Sequence, residues 1–71
     1  MQLIINGQAR VLAELRDGST VADLVAVLAM QADRVALEQN GSLVSRTDWG
    51  KTFISAGDRL EIVHFVGGGT R

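Results

Sequence analysis

Cysteine is absent from this sequence of 71 residues. Disulfides, a thiol nucleophile and a cysteine-ligated zinc or iron–sulfur centre are therefore excluded. Histidine occurs only once, as His64, and one imidazole cannot form a metal cage. We therefore expect neither a metal nor a bound cofactor, and the lack of cysteine suits a cytosolic protein.

Basic residues are too sparse for a nucleic-acid-binding surface. Seven Lys and Arg stand against eight Asp and Glu, the formal net charge is -1, and Lys51 is the single lysine. Nucleic-acid-binding domains usually carry a basic stripe, so no nucleic-acid partner is expected. No apolar run approaches the ~20 residues that span a bilayer, and residues 1–9 do not resemble a signal peptide. We expect a soluble, cytoplasmic protein with no membrane partner.

The length of the chain allows one domain. A domain this small buries about 60% of its unfolded surface, so its stability margin is narrow and a large active-site cavity is hard to fit. A hydrophobic fraction of 46% is enough for one compact core.

The first elements are a predicted hairpin and a helix. Asn6-Gly7 is the preferred pair for a type I′ turn, and it predicts strands at Gln2–Asn6 and Gln8–Leu15. In the second strand, alternation places Val11, Ala13 and Leu15 on one face.

A helix from Val21 to Met30 is expected next. Thr20 can cap its start, and Asp23 can return the hydrogen bond and place a negative charge in the first turn. The apolar residues Val21, Leu24, Val25 and Leu28 recur at helical spacing and predict its buried face.

The second half of the chain predicts a further hairpin and a long final strand. Asn40-Gly41 joins strands at Val35–Gln39 and Ser42–Val44. An irregular connection follows, with a helical turn near Thr47–Trp49, in which the Trp49 side chain closes one end of the core. From Leu60 to Val66 the chain is almost continuously apolar, which is typical of a central strand.

Together these elements predict an α+β fold, a mixed sheet of four to five strands with one main helix packed on one face. This is the β-grasp architecture of ubiquitin. We expect residues 1–66 to form the β-grasp domain and residues 67–71 to form a flexible, glycine-rich C-terminal tail.

Three glycines, Gly67, Gly68 and Gly69, follow the last strand directly. Chain ends of this kind are often merely disordered. A phosphate-cradling loop is not expected, because it needs a helix after its glycines and only two residues follow. A backbone without Cβ atoms can also pass through a narrow channel, which suits a tail that is threaded into a partner.

Four segments occur in the order and spacing of a known family. They are INGQ near the start, TVADLVAVL in the helix, VALEQNGSLVSRTDW in the middle and AGDRLEIVHFVGGG at the end. In these segments the sequence resembles the ThiS family, the sulfur carriers of thiamin thiazole biosynthesis, along nearly its whole length. Ser45 departs from the family, which often has proline before the arginine.

The resemblance implies a function for the tail. The carboxylate of the last glycine, Gly69 preceded by Gly68, would be adenylated by a ThiF-like activating enzyme that uses ATP. Sulfur from a cysteine desulfurase would displace AMP, and the resulting thiocarboxylate would donate sulfur to a ThiG-like thiazole synthase. The protein would then be a co-substrate and not an enzyme.

The sequence continues for two residues after the glycines, to Thr70 and Arg71. As written, the Gly69 carbonyl lies in a peptide bond, whereas chains of the family usually stop at glycine. A protease that removes two residues, an extension added during cloning and a copy that is no competent carrier are all open explanations. We favour a mature end at Gly69.

Side chains beside the tail are candidate partner contacts. Half of a strand with a period of two faces away from the helix, so an apolar patch at Val63, Phe65 and Val66 would dock the activating enzyme. The simpler interpretation is that these residues only fill the sheet. His64 could assist the chemistry of the tail or serve as an ordinary surface or core histidine.

Other functions fit the same pattern. The small subunit of molybdopterin synthase, a carrier for another sulfur pathway and a protein-tagging ubiquitin-like modifier share the fold and the tail. The ending EIVHFVGGG favours thiazole synthesis. A β-grasp domain that only mediates interactions or contacts RNA is an alternative of another class, and the weak charge and the short length argue against it.

Overall fold

The structure is a computed structural model, and it describes residues 1–65. The described elements are β1 (Gln2–Ile5), β2 (Gln8–Val11), the helix α1 (Val21–Val27), β3 (Val35–Gln39), β4 (Ser42–Leu43) and β5 (Arg59–His64), with 3₁₀ helices at Ala32–Arg34 and Arg46–Lys51. Within these residues no helix is both long and apolar enough to cross a bilayer.

The strands form one mixed sheet in the order β2-β1-β5-β3-β4. β5 runs parallel to β1 and antiparallel to β3, and each of these two neighbours carries its own hairpin partner on the outside. The final strand therefore lies in the centre of the sheet, as its apolar run predicted.

The core lies between the helix and one face of the sheet. Buried side chains of α1 share one apolar cluster with buried side chains of β1 and β5, which confirms the predicted face of the helix. The members are Val21, Leu24 and Val25 from the helix and Leu3, Ile5, Leu60 and Ile62 from the strands. Leu28, the fourth residue of the predicted face, is only partly buried and packs against this cluster.

Both asparagine–glycine turns form as predicted. The backbone φ is positive at Asn6 (49°), Gly7 (82°), Asn40 (52°) and Gly41 (89°), as a type I′ turn requires. β1 and β3, one strand from each of these hairpins, lie on either side of β5 in the sheet.

The second strand ends earlier than predicted, at Val11 and not at Leu15. Leu12 and Leu15 are buried, whereas Val11 and Ala13 are exposed, so the predicted alternation is wrong. The reason is a turn after Val11, in which the Leu15 N–H donates to the Leu12 carbonyl at 3.1 Å. Residues three apart in such a turn face the same side, and the core takes both leucines.

The helix begins with the predicted capping box. The Thr20 hydroxyl accepts from the Asp23 N–H at 3.2 Å, and the Asp23 carboxylate accepts from the Thr20 N–H at 2.9 Å. These two bonds satisfy donors that the first turn leaves unpaired.

The helix ends at Val27, earlier than the predicted Met30. Ala29 adopts the left-handed region with φ 58°. Its N–H donates to the Ala26 carbonyl at 3.0 Å, and the Met30 N–H donates to the Val25 carbonyl at 3.2 Å. This is a Schellman ending with alanine where glycine is usual, so the sequence lacks the common stop signal.

Trp49 is part of the buried core cluster, as its predicted packing role requires. Its side chain is only 4% exposed, and its indole Nε1–H donates to the Val44 carbonyl at 2.9 Å. The connection that holds it is a 3₁₀ helix at Arg46–Lys51, longer than the single turn expected.

Candidate functional site

β5 leads directly from the centre of the sheet to the glycine run. The Phe65 N–H donates to the Arg34 carbonyl at 2.7 Å, so pairing on the β3 side continues to the last described residue. The sheet therefore fixes the chain as far as Phe65. Val66 and the glycines Gly67, Gly68 and Gly69 lie outside the described residues, and the roles assigned to them stay predictions.

Asn6 ties the first hairpin turn to β5. Its backbone N–H donates to the Leu60 carbonyl at 2.9 Å. Its side-chain Oδ1 accepts from the Ile62 N–H at 2.7 Å, and its Nδ2 donates to the Ile62 carbonyl at 3.2 Å. The side-chain amide thus extends the ladder of β1 beyond the point where the strand ends, and it satisfies both backbone groups of Ile62.

Asn40, in the second hairpin turn, holds the start of β5 from the β3 side of the strand. Its backbone N–H donates to the Arg59 carbonyl at 2.8 Å, and its Oδ1 accepts from the Arg59 N–H at 2.9 Å. Its Nδ2 donates to the Asp58 carboxylate at 3.1 Å. The strand that carries the tail is therefore held by side-chain amides from both hairpin turns.

The Asp58 carboxylate organises the turn that precedes β5. Besides Asn40, it accepts from the Ser55 N–H at 2.9 Å and from the Gln39 amide at 3.0 Å. Partial burial acts to raise the pKa of Asp58, but the hydrogen bonds from Ser55, Asn40 and Gln39 outweigh it and hold the pKa below the ordinary value of 3.8.

The sheet face turned away from α1, here called the open face, carries two of the three predicted docking residues. Val63 is 59% exposed and Phe65 is 52% exposed, so these side chains do not fill the core. Leu43 on β4 is 71% exposed and was not predicted. The register of the second hairpin, in which Leu43 lies opposite Glu38, is the feature that could have identified Leu43.

His64 lies at the end of β5, opposite Val35, and its side chain is exposed.

A groove of about 230 Å³ runs from the open face to the 3₁₀ helix at Arg46–Lys51. Its lining is mainly apolar and consists of Val35, Ala36, Leu43, Val44, Ser45, Arg46, Trp49 and Phe65. No carboxylate or imidazole is among these lining residues. Its chemistry suits an apolar contact with a partner.

Comparison with known families decides the identity of the chain. The model described as "ThiS family" matches residues 3–69, which is nearly the whole sequence. The chain belongs to the ThiS family. The resemblance seen in the sequence motifs is thereby confirmed.

Curated relatives of this ThiS chain fall into two sizes. It is 33% identical over 54 residues to the sulfur carrier protein ThiS of Bacillus subtilis, across 76% of this chain and 82% of that protein. It is 36% identical over 70 residues to the thiazole synthase of Paramagnetospirillum magneticum, across 99% of this chain, and 33% identical over 69 residues to that of Magnetococcus marinus, across 97% of this chain. The chain spans only 21% and 20% of the length of these two thiazole synthases.

Solved structures confirm the fold of this ThiS chain. The crystal structure of the thiamine biosynthesis protein ThiS from Geobacter metallireducens superposes with a TM-score of 0.82 at 31% identity, covering 97% of this chain and 100% of that one. An NMR structure of a thiamine biosynthesis protein from the same organism gives a TM-score of 0.80 at 30% identity, covering 100% of this chain and 91% of that one. The predicted β-grasp fold is therefore confirmed.

Proposed function

We propose that this ThiS protein carries sulfur as a thiocarboxylate on Gly69 and donates it for thiazole formation in thiamin biosynthesis. The observation that carries the proposal is the family match, which continues through the glycine run to Gly69. The position of β5 supports it, because a strand held on both sides leads to a tail without side chains that a partner can thread.

Adenylation would make the Gly69 carboxylate reactive. A free carboxylate is a poor electrophile, so a carboxylate oxygen first attacks the α-phosphate of ATP and pyrophosphate leaves. The terminal sulfur of a cysteine persulfide then attacks the acyl carbon, and AMP leaves. A second thiol cleaves the resulting acyl disulfide, which releases the thiocarboxylate and leaves a disulfide on the partner. All thiols in this sequence of steps belong to partners, because this chain has no cysteine.

The chain itself acts as a co-substrate in this proposal. A ThiF-like enzyme binds ATP and supplies the catalytic groups, a cysteine desulfurase supplies the persulfide, and a thiazole synthase accepts the sulfur. The similarity to two proteins named thiazole synthase supports the identity of this acceptor. The apolar lining of the groove supports docking over catalysis.

The test uses a chain that ends at Gly69. With a ThiF-like enzyme, a cysteine desulfurase, cysteine and ATP, its intact mass should increase by about 16 Da as one oxygen is replaced by sulfur. A reaction without ATP is the control. The carrier loaded with sulfur should then support product formation by thiazole synthase but not by the large subunit of molybdopterin synthase. A chain that gains no sulfur, or that serves only the second acceptor, would contradict the proposal.

A further inference from the structure

Two glutamates face each other in the middle of the open face. Glu38 on β3 lies directly opposite Glu61 on β5 in the register, and both side chains are exposed. Residues opposite each other in an antiparallel pair have Cβ atoms about 4.5–5.5 Å apart, and like charges in that position are destabilising. β5, the strand that leads towards the tail, therefore carries a repulsive contact with its neighbour β3.

Neither glutamate forms an ion pair with a lysine or arginine of residues 1–65. Within residues 1–65 the only ion pair joins Lys51 and Asp48, at 3.5 Å. Arg59 lies two positions before Glu61 on β5 and so on the same face, but it forms no ion pair with it. The two carboxylates are thus left for the solvent or for a partner.

Apolar side chains flank the acidic pair on two sides, and Arg59 lies on the same face towards the start of β5. Leu43 is opposite Glu38 on the outer side, and the Ala36–Val63 pair comes next along the strands towards Phe65. A mutually repelling pair of like charges at the edge of an apolar patch opposes stability. Natural sequences break such a rule mainly where function uses the arrangement.

We propose that the Glu38–Glu61 pair is a docking determinant for the adenylating enzyme, whose matching surface presents a lysine or arginine side chain flanked by apolar side chains. This inference rests on the proposed function and names the chemistry of the partner at that site. A cation placed between the two carboxylates removes their repulsion and forms charge-assisted hydrogen bonds. The flanking apolar side chains cover Val63, Phe65 and Leu43.

Position and charge both favour this occupant. An enzyme that takes the chain after Phe65 into its active site must cover the end of β5, and the open face is continuous with that end. A second copy of this chain is a poorer occupant, because a symmetric contact places the same patch against itself and would bring two acidic pairs together.

The inference predicts opposite effects on stability and on docking. Glu38→Gln or Glu61→Gln removes the repulsion, so the melting temperature should increase by about 2–5 °C. The same change removes an attraction to the partner cation, so the affinity for the enzyme should decrease. If the pair had only a structural role, the substitutions would change the melting temperature and leave the affinity for the enzyme unchanged.

The experiment measures ATP–pyrophosphate exchange by the ThiF-like enzyme of the same organism, with chains that end at Gly69 as substrates. Each Gln variant should increase the KM for the carrier about fivefold and leave kcat unchanged. Glu61→Lys should increase KM further, although it creates an opposite-charge pair with Glu38 and should melt higher than the wild type. Glu14→Gln, which removes an exposed glutamate outside the open face, is the matched control and should keep the wild-type KM.

Salt gives a second readout. Because exposed charge contacts are screened, added salt should increase the wild-type KM but have a smaller effect on the double variant Glu38→Gln, Glu61→Gln. A wild-type KM in both Glu61 variants, or an equal rise in Glu14→Gln, would overturn the inference and leave the proposed function intact. No exchange with the wild-type chain would overturn the proposed function, and this inference with it.

Discussion

The side-chain amide of Asn6 forms both backbone hydrogen bonds of Ile62, a residue 56 positions later in the chain. One residue therefore does two tasks, since it adopts the positive φ of the first turn and also extends the sheet ladder to the strand that leads to the tail. Loss of the amide leaves a donor and an acceptor on the central strand without partners.

Asn6→Gly should separate these two tasks. Glycine keeps the positive φ but removes the amide, so the variant should lose about 1–3 kcal/mol of unfolding free energy for the unsatisfied groups of Ile62. Urea unfolding gives the loss, and amide hydrogen exchange should show faster exchange at Ile62. If Asn6→Gly unfolds at the wild-type urea concentration, the amide does not stabilise β5.

Leu24→Ala should destabilise the fold strongly. Leu24 is fully buried between helix and sheet, and removing such a side chain costs about 2–5 kcal/mol through lost burial and a residual cavity. A domain of this size has little stability to spare, so thermal melting should fall sharply or the variant should not fold. The control is Leu43→Ala, an exposed leucine whose loss should hardly change the melting temperature. Unchanged melting of Leu24→Ala would show that the helix face is assigned wrongly.

Asp58 should make the fold sensitive to acid. Its folded pKa lies below the ordinary 3.8, so its carboxylate contributes stability above that value, and the contribution is lost as the pH falls through the folded pKa. Asp58→Asn should be less stable than the wild type at neutral pH, and its stability should decrease less on acidification. Urea unfolding as a function of pH measures both, with Asp17→Asn as the exposed control. Parallel pH profiles for wild type and Asp58→Asn would contradict the assignment.

Thr70 and Arg71 should block sulfur loading. Two extra residues in an extended chain move the terminal carboxylate by about 7 Å, whereas reacting atoms must approach within about 3–3.5 Å. The 71-residue chain should therefore gain no sulfur under conditions in which the chain ending at Gly69 does. Intact mass spectrometry of both chains in one reaction provides the comparison. Equal sulfur loading of the 71-residue chain would show that the enzyme does not require a terminal glycine.

Features that depend on neighbouring residues could be predicted from the sequence. The asparagine–glycine pairs set both turns, and Thr20 with Asp23 set the start of α1, because the deciding bonds lie within three residues. The almost continuously apolar run from Leu60 to Val66 predicted the central place of β5. Even among local features the prediction failed where the signal was atypical, as at Ala29, which ends the helix in a conformation that glycine usually adopts.

The tertiary structure alone decided which side of β5 is free. Ile62 and Val63 are equally apolar in the sequence, and only packing against α1 buries the first and exposes the second. The bonds of Asn6 to Ile62 and the opposition of Glu38 to Glu61 likewise depend on which strands become neighbours and in which register. Burial of one apolar face selects that register, because a shift by one residue would turn every side chain of the strand to the other side.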